Sequence, residues 1–587
     1  NGFHSLNLVP FIHNTSTIIV SSVFKTIPQT MLSVQARQTH SMWTRDGVRL
    51  DADIYWPEGT GEGVGPFPVL LMRQPYGRAI ASTIVYAHPR WYAAHGYIVV
   101  IQDVRGRGTS QGTFDLFANE VADGEDTVNW AAQLPGSDGQ VGMYGFSYQG
   151  MTQLQAAEAR PLALKTIVPA MTGYHLYEDW ATENGALCLQ LGLMWALQLA
   201  AETARLAQDV PLFQKLSAAA RNLPLSDATP ACPTVLSEVS SFFHDWVSRP
   251  ATDDYWRRLT PKLDEVDLPM LHVGGWFDPY LRGDLRLYRE MAARRAHLHH
   301  FWVGPWAHIP WARKVGDVDI GATAMRKIDQ VQIRWFDAIL KKRDEHELAM
   351  QKPVCLFEMG RNEWRQLTEW PTATVSSIVE PRYLKSGGLT NIREDSGVLA
   401  VEPSMDSATD VIVHDPWNPA PALGGHSAVP SGSFERTAVD SRGDVLTYTS
   451  ELLADELRVV GVVEVVCAIA ASTPSYDLCA VLSRVKDGKA FNLTQGYRKV
   501  AICNPDTILE ISVPLHPTCF SLAPGECLRL SLSAACFPAY PVNSGTGAPL
   551  SESRSIDAKI ITLMIHTGSG PGAPVRPSVL KLPVACD

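Results

Sequence analysis

VGMYGFSYQG, residues Val141 to Gly150, sets an apolar strand pattern (Val141–Gly145) against the corner Gly145-Phe146-Ser147-Tyr148-Gln149-Gly150, and helical spacing follows over Gly150–Ala159. A serine at such a corner is held on a sharp turn with its hydroxyl exposed. Small residues beside it let strand and helix approach closely. The helix N-terminus and the N–H of Tyr148 would face negative charge growing on a substrate carbonyl oxygen. The corner departs from Gly-x-Ser-x-Gly, because Gln149 stands two residues after the serine and glycine comes third. Taken alone, the stretch reads equally as a nucleophile or as a serine capping the helix that begins at Gly150.

On the N-terminal side, Val48–Tyr55, Pro68–Arg73 and Tyr97–Gln102 read as strands and Asn119–Leu134 as a helix; on the C-terminal side Leu164–Val168 is a strand again. The apolar runs PVLLMR and YIVVIQ fit strands buried on both faces. Alternating strands and helices predict a mostly parallel sheet covered on both sides. Residues 172–262 break this rhythm with helical segments, Leu189–Ala207 and Pro211–Ala220, and no convincing strand. The pattern returns at Pro269–Gly274 and Leu298–Gly304, with a helix near Met325–Lys341. A helical insertion of this kind is a common roof for an active site. Beyond about residue 375, β-like runs such as Val445–Ser450, Leu457–Ala471, Ala480–Val485 and Leu528–Ser533 predict an antiparallel β-sandwich.

A lone serine is a poor nucleophile and needs a base. In α/β-hydrolases the partners follow in the order acid, then histidine, each after a strand. Leu271–Tyr280 (LHVGGWFDPY) supplies a strand, a Gly-Gly turn and Asp278; Phe301–Pro310 (FWVGPWAHIP) supplies a strand, a Gly-Pro turn and His308. Each has a plainer reading, Asp278-Pro279 as a turn and His308 as a satisfied loop histidine. The cluster His297-Leu298-His299-His300 runs into a strand without matching metal ligands, and reads as surface or core.

The 587 residues are too many for one core, so two or three domains are expected. A net charge of -11 argues against nucleic acid or an anionic membrane as the main partner. None of the ten cysteines forms a C-x-x-C pair; they read as free core thiols, with a disulfide among the six from Cys467 to Cys536 left open. The first thirty residues lack a basic leader, and no run is long enough to span a bilayer. Met31 reads as a natural start, with residues 1–33 an extension outside the fold, and the chain as soluble and cytoplasmic.

Together these motifs resemble the cocaine esterase family, which includes X-prolyl dipeptidyl peptidases, α-amino acid ester hydrolases and glutaryl-cephalosporin acylases. That family favours Gly-x-Ser-Tyr-x-Gly, so Gln149 fits. The resemblance runs from about residue 40 to the C-terminus, through Arg45–Leu50, Gln102–Gly106, the three site motifs, Asp415-Pro416 and Leu423–Gly425. It implies an α/β-hydrolase domain over 34–171 and 263–375, a helical cap domain over 172–262 and a jelly roll over 376–587. It implies an oxyanion hole made by the Tyr76 hydroxyl, in the matching loop Arg73–Gly77, and the Tyr148 N–H. It also implies an acyl pocket lined by Phe146, Trp180, Trp195 and Tyr280, with Asp103 and Arg105 ordering a loop.

The α-amino ester hydrolases hold a substrate ammonium with acidic residues, some just after the catalytic aspartate. Here Pro279, Tyr280 and Leu281 follow Asp278, so that half is missing; Glu178, Asp179 and Glu183 in the cap could supply the charge instead, but read rather as a solvated helix face. The expected enzyme is therefore a serine esterase for a small-molecule ester with a bulky apolar or aromatic acyl group, needing no metal or organic cofactor. Amide hydrolysis by the same triad is the alternative. An acyltransferase and a carbohydrate-binding protein with a vestigial site are the other classes. The jelly roll either covers an active-site edge or joins a homodimer interface.

Overall fold

A computed structural model of the protein describes residues 31–58, 65–79, 83–294, 296–325, 328–371, 377–393, 395–501, 504–568 and 576–585. Residues 1–30, most of the expected extension, lie outside the described residues. Residues 32 and 33, also expected outside the fold, are joined to it: Leu32 N–H donates to the Ala94 carbonyl at 2.8 Å, and the Ser33 carbonyl accepts from Glu58 N–H at 2.6 Å.

The strands β1 (Gln38–Trp43), β2 (Arg49–Tyr55), β3 (Phe67–Gln74), β4 (Ile98–Asp103), β5 (Ser137–Phe146) and β6 (Leu164–Ala170) begin a ten-stranded sheet. After the insertion come the two-residue strands β7 (Thr182–Glu183) and β8 (Ala186–Leu187), then β9 (Met270–Phe277), β10 (His299–Ala307), the hairpin β11 (Lys314–Val315) with β12 (Val318–Asp319), β13 (Val354–Glu358) and β14 (Glu363–Leu367). The sheet order is β1-β2-β4-β3-β5-β6-β9-β10-β13-β14. Its centre, from β4 to β13, is parallel. Parallel strands covered on both faces are apolar throughout, and every residue of β4, β9 and β10 is buried.

Alternation along β3 shows how the two faces are filled. Val69 and Leu71 join the core containing α2 (Glu120–Ala132) and α3 (Tyr148–Glu158), while Leu70 and Met72 join the core containing α1 (Pro89–Ala94). The insertion between β6 and β9 carries a turn of π-helix (Leu176–Ala181), the β7–β8 hairpin that the sequence reading missed, and four helices: α4 (Leu189–Leu206), α5 (Val210–Arg221), α6 (Phe242–Ser248) and α7 (Asp254–Leu259). The helix α8 (Leu281–Arg294) follows β9 directly.

Among the described residues, thirteen strands between Ser377 and Ala585 form a second, largely antiparallel sheet system. The expected single run Leu457–Ala471 is two strands, Leu457–Gly461 and Glu464–Ala471, because the chain turns at Gly461 with φ 132°. One buried apolar cluster joins the two sheets, holding Trp276, Phe301 and Leu356 of the first with Leu446, Leu482 and Leu563 of the second. Eight cysteines fall among the described residues and all are free thiols. No helix of the described residues is long and apolar enough to cross a membrane.

Candidate active site

Ser147, Asp278 and His308 are each the residue immediately after a strand: β5, β9 and β10. These strands run parallel, so the three side chains emerge at one edge, the carboxyl end of the sheet, where open α/β sheets bind ligands. The corner at Ser147 is backbone-strained. Its φ of 60° and ψ of -127° lie where a side chain rarely sits, at a cost of about 1–3 kcal/mol. The surroundings hold it there: Ser147 N–H donates to the Ala170 carbonyl at 2.9 Å, and the Thr172 hydroxyl donates to the Ser147 carbonyl at 2.8 Å. The helix begins at Tyr148, two residues earlier than the spacing implied, and the Ser147 side chain makes no capping hydrogen bond.

The departure at Gln149 has a local reason. A Cβ on Gly145 would stand 2.4 Å from the Gln149 Cβ, and one on Gly150 would stand 2.5 Å from the Thr172 Cβ. The glutamine thus fills the space beside Gly145, where its Oε1 accepts from Phe146 N–H at 3.2 Å. The third-position glycine is what lets α3 pass the loop after β6.

His308 Nδ1 lies 2.6 Å from Asp278 Oδ1, and Asp278 Oδ2 accepts from Tyr280 N–H at 3.0 Å. Asp278 is fully buried and His308 partly open. The Tyr76 hydroxyl receives the Trp195 indole N–H at 3.1 Å and lies close to the Ser147 side chain. About a third of Tyr76 stays exposed, and the protein packed around the rest of the side chain pushes its pKa up to about 12. It is therefore a neutral O–H donor near pH 7. The Tyr148 side chain points away from substrate: its hydroxyl donates to Glu120 Oε1 at 2.8 Å, while Glu120 Oε2 pairs with the buried Arg73 at 2.7 Å. That anchor fixes the first residue of α3, and with it the backbone N–H assigned to the oxyanion.

The four expected pocket residues converge around this set. The Phe146 ring lies 5.4 Å from the His308 ring and Tyr280 lies 5.3 Å from it. Trp180 stands 4.3 Å from Tyr280 and 5.4 Å from Trp195. Sequence reasoning missed Phe117, which stacks on Tyr148 at 4.6 Å and meets Trp180 at 5.3 Å. It also missed Trp311, whose indole donates to the His308 carbonyl at 3.1 Å; an aromatic three residues past the histidine was the available signal.

Two of the three acids read as a solvated face are buried. Asp179 accepts from Tyr174 and His175 N–H at 2.9 and 2.7 Å, and Glu183 pairs with Arg282 at 2.7 Å. Glu178 is more than half exposed and pairs with Arg286 at 2.8 Å. Asp284, also missed, accepts from Thr172 and Gly173 N–H at 3.0 Å. Burial, and then the Asp278 carboxylate, push its pKa well above the usual carboxylate range. Asp103 pairs with Arg78, and Arg105 bridges Asp46 and Asp123, so this segment ties loops together. His299 and His300 are buried in β10, whereas His297 meets Asp267 at 3.2 Å near the surface. Among the described residues no group of three or more His, Cys, Asp or Glu is placed to hold a metal. A cavity of about 350 Å³ between Pro230, Trp417, Phe537 and Leu550 holds none of the expected site residues.

Residues 46–310 match the X-Pro dipeptidyl-peptidase (S15 family) model, and residues 347–571 match the X-Pro dipeptidyl-peptidase C-terminal non-catalytic domain. The chain is 30% identical to cocaine esterase of Rhodococcus sp. (strain MB1 Bresler), over 92% of this chain and 97% of that protein. Its fold is similar to that of an aminopeptidase from a marine sediment Thaumarchaeota archaeon, with a TM-score of 0.78 and 23% identity over 98% of this chain and 100% of that one. It is similar too to an α-amino acid ester hydrolase, with a TM-score of 0.73 and 22% identity over the same shares of the two chains.

Proposed function

The chain belongs to the cocaine esterase family of serine hydrolases, and from that premise we propose that it cleaves carboxylic esters with a bulky apolar or aromatic acyl group through an acyl-enzyme on Ser147. The observation that carries this reading is the aromatic cluster in which Phe146 and Tyr280 flank His308, and Trp180, Trp195 and Phe117 pack in turn behind Tyr280. Flat rings on several sides favour an acyl group that is itself apolar and flat. An acyl group bearing an ammonium is disfavoured, because Glu178, Asp179 and Glu183 are already engaged by arginines.

In this reading His308 accepts the proton as Ser147 attacks the carbonyl carbon. Asp278 holds the proton on Nδ1 and stabilises the imidazolium. The tetrahedral oxyanion rests on the Tyr76 hydroxyl and the Tyr148 N–H. The alcohol leaves with the proton from His308, and water then attacks the acyl-enzyme along the same route. We read the helical insertion as a cap, a role supported by the Trp195–Tyr76 hydrogen bond, and the β-rich C-terminal part as a jelly roll.

The test compares phenyl benzoate, phenyl acetate, benzanilide and an α-amino acid phenyl ester. The proposal predicts that kcat/KM for the benzoate exceeds that for the acetate by at least about ten-fold, with the anilide slowest. Trp180→Ala should erase the benzoate preference. Faster turnover of the acetate or of the α-amino ester would overturn the assignment.

A further inference from the structure

Two buried carboxylates hold the loop that follows β6. Asp284 Oδ1 accepts from the N–H groups of Thr172 and Gly173 at 3.0 Å each, and Asp179 Oδ2 accepts from those of Tyr174 and His175 at 2.9 and 2.7 Å. Four consecutive main-chain N–H groups thus point at two side chains, each 2% exposed. Asp284 is the fourth residue of α8, and Asp179 lies in the π-helical turn. The helix packs directly on this loop: a Cβ on Gly283 would stand 2.6 Å from the Gly173 Cα.

The same loop backs the nucleophile. Ser147 N–H donates to the Ala170 and Met171 carbonyls at 2.9 and 3.2 Å, and the Thr172 hydroxyl donates to the Ser147 carbonyl at 2.8 Å. In the other direction Asp284 is tied to the acid. Its N–H donates to the Tyr280 carbonyl at 3.1 Å, and Tyr280 N–H donates to Asp278 Oδ2 at 3.0 Å. A path of hydrogen bonds therefore leads from Asp278, which holds His308, through Tyr280 and Asp284 to Thr172 and the main chain of Ser147.

The strain at Ser147 gives this path a purpose. A φ of 60° persists only where the surroundings over-determine it, and small misplacements of reacting groups are costly in rate. Asp284 Oδ2 is buried and, among the described residues, has no hydrogen-bond partner. An ionised oxygen left so would be expensive, which favours the neutral acid, with Oδ1 as the oxygen in use.

We infer that Asp284 is a positioning residue for the reaction: through Oδ1 it locks the loop after β6 to the helix that follows Asp278, and so fixes Ser147 relative to the Asp278–His308 pair. This inference rests on the triad reading above.

The test is steady-state kinetics on an aryl ester, beside the rate at which a fluorophosphonate labels Ser147. Asp284→Ala should lower kcat by about 10- to 100-fold, leave KM within about two-fold, and slow labelling in parallel. Asp284→Asn, which keeps the acceptor oxygen, should recover most of both rates. Should Asp284→Ala fail to fold, Thr172→Val carries the test. It keeps the N–H on Asp284 but removes the hydroxyl on the Ser147 carbonyl, and should slow both rates by about five-fold. Folded variants with wild-type rates, a loss confined to KM, or a loss that Asn does not recover would overturn the positioning role. Ser147→Ala run alongside separates the two levels: turnover surviving there overturns the triad reading, and this inference with it.

Discussion

Gly145 and Gln149 share one space, so neither is free to vary alone. A methyl group on Gly145 would collide with the Gln149 Cβ at 2.4 Å, and Gly145 also has a φ of 144°. Gly145→Ala is expected to disrupt the corner and reduce kcat with the bulk of the fold intact, checked by circular dichroism beside kinetics. Tyr76→Phe removes one hydroxyl donor from the site. Its expected cost is roughly 10²- to 10³-fold in kcat with little change in KM; an unchanged kcat would take Tyr76 out of the oxyanion hole. Asp278→Asn should lower kcat by roughly 10⁴-fold, the scale seen when a triad histidine is left in the wrong tautomer.

At the level of the element, β7 is two residues long yet carries the carboxylate on which three parts of the chain meet. Glu183→Ala leaves the half-buried Arg282, the buried His426 and the Tyr540 hydroxyl without the carboxylate they share, so a loss of about 3 kcal/mol, the low end for a buried pair, is expected, measured by urea unfolding; a loss under about 1 kcal/mol, as for an exposed ion pair, would contradict the buried network. The sequence reading placed the strands that carry Ser147, Asp278 and His308 from their apolar runs, but the turns it expected at Gly274-Gly275 and Gly304-Pro305 lie inside strands that run on to Phe277 and Ala307. It misread Glu183 because a two-residue strand has no periodicity, and because Arg282, His426 and Tyr540 are distant in sequence. The strand Lys489–Val500 escaped notice because Asn492, Thr494 and Gln495 are buried there as polar residues hydrogen-bonded to neighbouring loops. Its pattern is that of a loop, and only tertiary partners make it a strand.

At the scale of the whole molecule, one apolar cluster runs through both sheet systems. The protein is expected to unfold in a single transition, with tryptophan fluorescence and far-ultraviolet circular dichroism changing together; two separated transitions would mean that the sheets are independent. Acid should destabilise it through the β10 histidines. Burial lowers the pKa of His299 and His300 to about 4, while the unfolded chain titrates at its ordinary value of about 6.5. Between these values the unfolded state binds more protons, so stability is full above about pH 6.5 and falls as pH drops toward 4, by up to the order of 3 kcal/mol per histidine. Replacing either with Phe should flatten that slope in urea titrations from pH 7 to 4. The central claim, that this fold activates Ser147, is tested most directly by the intact mass of the protein after incubation with a fluorophosphonate probe, with Ser147→Ala beside it. The account predicts one adduct on the wild type and none on the variant. No adduct on well-folded wild-type protein, or an adduct that persists in Ser147→Ala, would contradict it.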